Sequence, residues 1–371
     1  MKARHSAAAS SYVIDRIDIH WGQMPVNLLF SYGRVDSFPF LIVRLYAGDT
    51  QGQGETPVVY TPAVDRILAP LIGQDARGLD SLLPHVDTEA DRFLCEAISM
   101  ALHDLVGQLS GLPLHTLLGG SAQRQVPLMP CIFPVNADEA QVKAQSFFAQ
   151  GFRKYLKTKL VGDFQEDLAR VKAIRRCAPP GLMLQGDANC GYKTFADARH
   201  AADKLGEAGL DIFEDPLAGG VSDYRTLKDG CAGTTRIMVD MLSRRTSDLA
   251  AVLQNAAADV VGIHPVQPGS LSRARQHAQL AQSFGVPVII GGTGYCAMGP
   301  AAYQHLTAVV TPGGPCGELG GVFDHGMPQS LIAASLPIRD GEVILGDQPG
   351  LGVRLNEEAL RHFAHGEKTL R

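Results

Sequence analysis

Five polar groups recur along the middle of the chain at nearly constant pitch, each ending a short apolar run. Lys157-Thr158-Lys159 follows Tyr155-Leu156, and Asp187-Ala188-Asn189 follows Leu182-Met183-Leu184. Glu214-Asp215-Pro216, Asp240 and His264 end the runs Leu210 to Phe213, Ile237 to Val239 and Val260 to Ile263. From Lys159 through Asp187, Glu214 and Asp240 to His264 the steps are 28, 27, 26 and 24 residues. That is the length of one strand, one helix and two loops, and it constrains the fold more than any other feature. Strands alternating with helices at this pitch close into a barrel whose chemistry sits at the strand C-termini. Two ammonium groups, three carboxylates and an imidazole would then converge on one mouth.

The alternation begins with a strand at Val126 to Ile132 and ends with a Gly-rich one at Pro315 to Glu318, which makes eight units. Residues 12–122 do not follow the pitch. Val13 to Ile19 and Phe40 to Tyr46 read as strands, Trp21 to Asp36 between them as an irregular segment, and Pro62 to Ile72 and Glu89 to Leu109 as helices. Ile338 to Leu355 reads as a Gly/Pro-rich turn segment returning to the N-terminal part. The expected class is therefore α/β: a (β/α)7–8 TIM-type barrel at 123–335, an N-terminal α+β capping domain at 12–122, and a C-terminal segment, 336–371, that completes the cap.

With a formal net charge of −5 and no dense basic run, the chain does not suit a nucleic-acid or membrane-surface partner. No stretch reaches the apolar length of a membrane span. Seven scattered cysteines without CxxC spacing imply reduced thiols, and Met1 to Ser11 lacks the apolar centre of a signal peptide. A cytoplasmic protein is expected.

Asp187, Glu214 and Asp240 end three successive strands, and three carboxylates on a rigid scaffold suit a hard cation such as Mg²⁺. Such a cation neutralises the charge that develops when a proton leaves the carbon beside a carboxylate. Singly, each acid is more often a helix cap or the start of a solvated loop, and it is the regular interval of the three that favours a metal site. Lys157 and Lys159 are two apart, so both face one side of their strand, where two ammonium groups lower each other's pKa and favour a base. A solvated Lys-x-Lys face has the same pattern. His264 is either a second acid/base or a structural histidine before Pro265. Asn189 and Glu318 are further polar candidates for the mouth, and Thr293 lies in Gly291-Gly292-Thr293-Gly294, a loop able to cradle an anion. Trp21, Met24, Phe30 and Tyr32 would give a partly apolar lid.

On these residues the chain resembles the enolase superfamily, specifically the muconate-lactonizing-enzyme-like subgroup of the mandelate racemase/muconate lactonizing enzyme family. The likeness extends to Ala97 to Leu105, Gly111-Leu112-Pro113-Leu114 and Leu117-Leu118-Gly119-Gly120, and to Asp340 to Val343 and Pro349 to Gly352. It implies that Asp187, Glu214 and Asp240 are the Mg²⁺ ligands, Lys159 the α-proton base, Lys157 the lysine that tunes it, and Asn189 the asparagine of the family's DxN pattern. Trp21–Asp36 and Gly52–Val59 match the family's substrate-covering cap loops. The chain departs from the subgroup at His264, where a lysine is usual, and at Met241, where a glutamate is usual.

The resemblance implies an Mg²⁺-dependent racemase, epimerase or cycloisomerase acting on a small carboxylate, with Lys159 and His264 on opposite faces. The alternatives are a dehydratase in which His264 protonates a departing β-hydroxyl, and a catalytically silent ligand-binding barrel. A Schiff-base lyase would have no use for the carboxylate trio. A symmetric homo-oligomer is expected of such barrels.

Overall fold

The computed structural model describes residues 12–30, 33–84, 89–120, 123–231, 233, 235–292, 294–317 and 331–371. Three antiparallel strands open the chain: β1 (Arg16–Phe30), β2 (Gly33–Ala47) and β3 (Thr50–Thr56). Of Trp21 to Asp36, expected to be irregular, residues 21–30 and 33–36 instead prolong β1 and β2 as paired antiparallel strands, with Met24 opposite Phe38 and Leu28 opposite Val35. The period-two signal is broken there because the register shifts between Pro25 and Leu28, and proline donates nothing to a ladder.

Helix α1 (Pro62–Leu68) passes into a 3₁₀ turn at Ala69–Leu71, and the long α2 (Glu89–Ser110) crosses the sheet. Both faces of β2 are covered, which is why it reads as an unbroken apolar run. Leu41, Val43 and Leu45 join Ile17 and Ile19 against Ala97, Ala101 and Leu105 of α2. Phe40 and Ile42 point the other way and, with Met24, enter the core shared with the barrel. Gly54 allows β3 to approach α2 closely, since a β-carbon there would meet the carbonyl of Ala97.

After α3 (Leu114–Leu117) the alternating part begins. The first barrel strand, expected to run unbroken from Val126 to Ile132, is parted at Pro130 into β4 (Gln125–Met129) and β5 (Cys131–Ile132). There follow α4 (Ala137–Ala149), β6 (Tyr155–Lys159), α5 (Phe164–Cys177), β7 (Met183–Asp187), α6 (Phe195–Glu207), β8 (Ile212–Glu214) and α7 (Val221–Gly230). Next come β9 (Arg236–Val239), α8 (Thr246–Gln254), β10 (Val260–Ile263), α9 (Leu271–Ser283), β11 (Val288–Ile290), α10 (Gly299–Val310) and β12 (Cys316–Gly317). Side chains at the loop ends start several helices: Asn136, Asp163, Thr194 and Ser270 each accept a backbone N–H from the first turn.

Each strand from β5 to β12 pairs in parallel with the next, and β12 pairs with β4, so the two halves of the first strand close the ring. The ring has eight strand positions among the described residues.

The C-terminal part differs from expectation in one respect. After β13 (Ile332–Ala334), the hairpin β14 (Ile338–Arg339) and β15 (Glu342–Ile344) does not reach the cap but adds antiparallel to β4. The return to the cap comes later. Leu351 donates its N–H to Asp104 of α2 at 2.9 Å. Beyond β16 (Arg354–Leu355) and α11 (Glu357–Phe363), β17 (Ala364–Leu370) lies along β1. No helix among the described residues is long and apolar enough to cross a membrane.

Candidate active site

Parallel register sets the site. Lys159 stands opposite Asp187 across β6 and β7, and Asp187 opposite Glu214 across β7 and β8, so three charged side chains share one level at the strand C-termini. Lys157 and Gln185 are partners one layer deeper on the same face. Asp240 and His264 come directly after β9 and β10. Lys157, Lys159, Asp187, Glu214 and Asp240 are all buried.

The lysine ammonium groups lie against the carboxylates. Lys159 Nζ is 2.6 Å from Asp187 Oδ2. Lys157 Nζ is 3.0 Å from the same oxygen and 2.6 Å from Glu214 Oε2. Gln185 Nε2 donates to that Glu214 oxygen at 2.5 Å. Burial by itself would raise the Asp187 carboxyl, but the two ammonium groups outweigh it and hold the group well below the usual carboxylate range. Asn189 serves the same acid, donating its backbone N–H to Oδ1 at 2.8 Å and its side-chain amide to Oδ2 at 3.3 Å.

Asp240 is held differently. Arg244 Nη2 stands 3.6 Å from its Oδ2 and His264 Nε2 3.7 Å from its Oδ1, and Oδ1 is buried without a hydrogen-bond partner. Glu214, Asp240 and His264 each bring a ligand atom within 4.8 Å of the others. That trio is not the one the sequence suggested: His264 takes the place of Asp187, whose Oδ2 the lysines engage. The donor chemistry favours the three carboxylates, because oxygen suits a hard divalent cation and an orphaned buried carboxylate oxygen lacks only a positive partner. The residues present therefore fit Mg²⁺.

Two supporting residues escaped the sequence reading. Gln185 lies two positions before Asp187, and the same period-two rule that paired the lysines would have found it. Asp215, fully buried, accepts the backbone N–H groups of Asp240 and Met241 at 3.1 and 3.0 Å and so fixes the start of the loop carrying Asp240. Its own burial, followed by the carboxylates of Asp240, Glu214 and Asp187, pushes its carboxyl well up. Asn189, Cys190 and Asp215 adopt left-handed backbone, at φ 43, 60 and 41°. Such conformations cost about 1 kcal/mol or more and cluster at working sites.

The lid residues divide between the two faces of the cap sheet. Met24 is buried in the core shared with the barrel. Trp21, three residues earlier and on the opposite face, is not brought to the mouth but stacks on Tyr60 at 3.9 Å in the cap core. Tyr32, Thr293 and Glu318 lie outside the described residues. Two glycines shape the mouth wall: a β-carbon on Gly291 would stand 2.4 Å from His264 Nε2, and one on Gly294 would stand 2.8 Å from the Phe38 ring.

Comparison with known proteins agrees with this architecture. A family model described as "Enolase C-terminal domain-like" matches residues 139–359. An L-Lys-D/L-Arg epimerase of Methylococcus capsulatus is 30% identical over 309 residues, covering 81% of this chain and 83% of that one. Muconate cycloisomerase 1 of Rhodococcus opacus is 26% identical over 341 residues, covering 87% and 90%. The crystal structure of a Pseudomonas fluorescens muconate lactonizing enzyme complexed with muconolactone superposes with a TM-score of 0.86 at 23% identity, covering 96% of this chain and all of that one. With its strand-rich cap and its barrel both shared with these relatives, the chain is an enzyme of the enolase superfamily, belonging to the mandelate racemase/muconate lactonizing enzyme family.

Proposed function

We propose that this enzyme inverts the configuration of a small carboxylate by removing and returning the proton on the adjacent carbon, with Mg²⁺ held by Asp187, Glu214 and Asp240. The observation that carries this reading is the shared level of Lys159, Asp187 and Glu214: a basic side chain is fixed beside two of the three oxygen donors. When bound, the cation supplies positive charge against the charge that builds on the substrate carboxylate as the proton leaves.

Lys159 is the base. Its ammonium is within 2.6 Å of Asp187, a position that keeps the side chain ordered, while Lys157 is tied to both Asp187 and Glu214 and serves as a fixed neighbouring charge. β6 and β10 stand four places apart in a ring of eight, on opposite sides of the mouth. A substrate between them meets Lys159 on one face and the His264 imidazole on the other, which is what inversion with two acid/base groups requires. Phe38 from the cap, which rests against Gly294 of the mouth wall, adds an apolar cover on that side. This cover, together with the epimerase name of the relative quoted above, supports an amino-acid derivative such as a dipeptide or N-acyl amino acid as substrate.

The test is incubation with Mg²⁺ in D₂O against a panel of dipeptides, including L-Lys-L-Arg, and N-acyl amino acids. Deuterium at the α-carbon accompanied by the inverted stereoisomer is expected. A 2-keto product would replace this reading with dehydration. Binding of acids without any α-exchange would make the barrel a binding protein.

A further inference from the structure

Helix α10 begins without a cap of its own, because its N-cap residue is Met298, whose side chain accepts no hydrogen bond there. The missing acceptor comes from the other domain. Glu55 of β3, 1% exposed, accepts the backbone N–H groups of Cys296 at 2.5 Å, Ala297 at 2.9 Å and Gly299 at 3.1 Å. A carboxylate at a helix N-terminus satisfies orphan donors and meets the positive end of the helix dipole. Beside it, Glu96 of α2 accepts the phenol O–H groups of Tyr295 and Tyr303, so two cap carboxylates grip one segment of the barrel.

That segment is the far end of the loop after β11. The near end touches the reaction site. Gly291 is the surface on which the His264 imidazole rests, and Gly294 is the surface on which Phe38 of β2 rests. Gly291 and Cys296 are five residues apart, so the two ends belong to one short loop.

We propose that Glu55 is a positioning residue for His264: by capping α10 from the cap domain it fixes the loop that backs the imidazole, and so makes His264 placement depend on a seated cap. The claim that this placement matters for turnover rests on the function proposed above; the placement itself does not. Glu55 is buried against the α10 N-terminus, and it acts through the loop. Phe38 on Gly294 and Glu55 at the α10 N-terminus both hold this loop from the cap, so the cover of the mouth and the alignment of the second acid/base share one support. Glu55→Gln keeps the side-chain size but replaces one of the two acceptor oxygens with an N–H donor that faces the backbone N–H groups, which weakens the cap's grip.

The test uses the full chain with Mg²⁺ and no substrate. Amide hydrogen exchange is followed over residues 291–299, over 33–41 around Phe38, and over α5 as a control. The rate at which diethyl pyrocarbonate modifies His264 is followed by peptide mass spectrometry. In Glu55→Gln, exchange over 291–299 should rise about tenfold, the scale set by loss of a helix cap, with α5 unchanged. Exchange over 33–41 and modification of His264 should rise with it. Faster exchange over 291–299 with unaltered His264 modification would reduce Glu55 to a helix cap and overturn the proposal, as would no change in either. If Glu55→Gln does not fold, Glu55→Asp, which withdraws the carboxylate by one methylene, should give the same pattern in smaller degree. Because neither readout uses a substrate, failure to find α-exchange with any acid would remove the assigned reaction and leave this result standing.

Discussion

Replacing Gly291 by alanine isolates the role of His264 without touching its chemistry. The backbone of Gly291 is not left-handed, so alanine is tolerated locally, but its β-carbon would stand 2.4 Å from Nε2 and 2.6 Å from Cε1 of the imidazole. Ordinary contact begins near 3.4 Å, and the ring must therefore withdraw by the difference. A displacement of about 1 Å at a reacting group costs on the order of 100-fold in rate, or about 2.7 kcal/mol of barrier. Lys159 sits across the ring on β6 and is left in place. The assay is α-proton exchange in D₂O, begun separately from each stereoisomer of a substrate. The direction in which His264 removes the proton should slow about 100-fold, while exchange by Lys159 without inversion stays within a few-fold of the parent. Equal slowing of both directions would mean that the alanine disturbs the metal site or the fold. No slowing of either would mean that the imidazole takes no part in proton transfer.

Three further outcomes follow from the same geometry. Lys159→Ala should lower α-exchange from one stereoisomer by at least about 1,000-fold while Mg²⁺ still binds, measured by calorimetry alongside exchange; retained exchange would remove Lys159 from the base role. Asp215→Asn should weaken Mg²⁺ affinity roughly 10–100-fold, because one of its two acceptor oxygens becomes a donor facing the N–H groups of Asp240 and Met241; unchanged affinity would show that the loop carrying Asp240 does not depend on it. Acid should destabilise the fold through two buried histidines. Burial lowers His277 from 6.5 to about 4 and, with help from His115, His305 from 6.5 to about 3. Depressed folded-state values mean that their contribution is complete above pH 6.5 and is lost as pH falls toward 4 and 3. Roughly 2–3 kcal/mol each should be gone by pH 4.5, and urea melts of His277→Gln and His305→Gln should show a flatter pH dependence.

Much of the site was legible along the chain because its residues are tied to the secondary-structure period. Lys157 and Lys159 share a strand face through a period of two, and Asp187, Glu214, Asp240 and His264 follow the pitch of successive βα units. Gln185 obeyed the same rule. The cap was harder to read. Trp21 to Asp36 looked irregular since a register shift and Pro25 erase the alternation that marks a strand. Trp21 and Met24 looked alike as lid residues until the sheet sent them to opposite faces.

The strand–helix alternation, the barrel and the pitch of polar groups at its strand ends are local or periodic properties, and the sequence by itself determines them. Tertiary structure alone decides what distant side chains do to one another. Glu55 becomes the cap of a helix that starts more than two hundred residues later, and Asp215 orders the loop of a neighbouring strand. His264 comes to rest on Gly291 rather than anywhere else an imidazole could reach. None of these has a spacing rule behind it. Each exists because burial forces an acceptor to find a donor, or a ring to find a gap, and only the packed chain says which one is within reach.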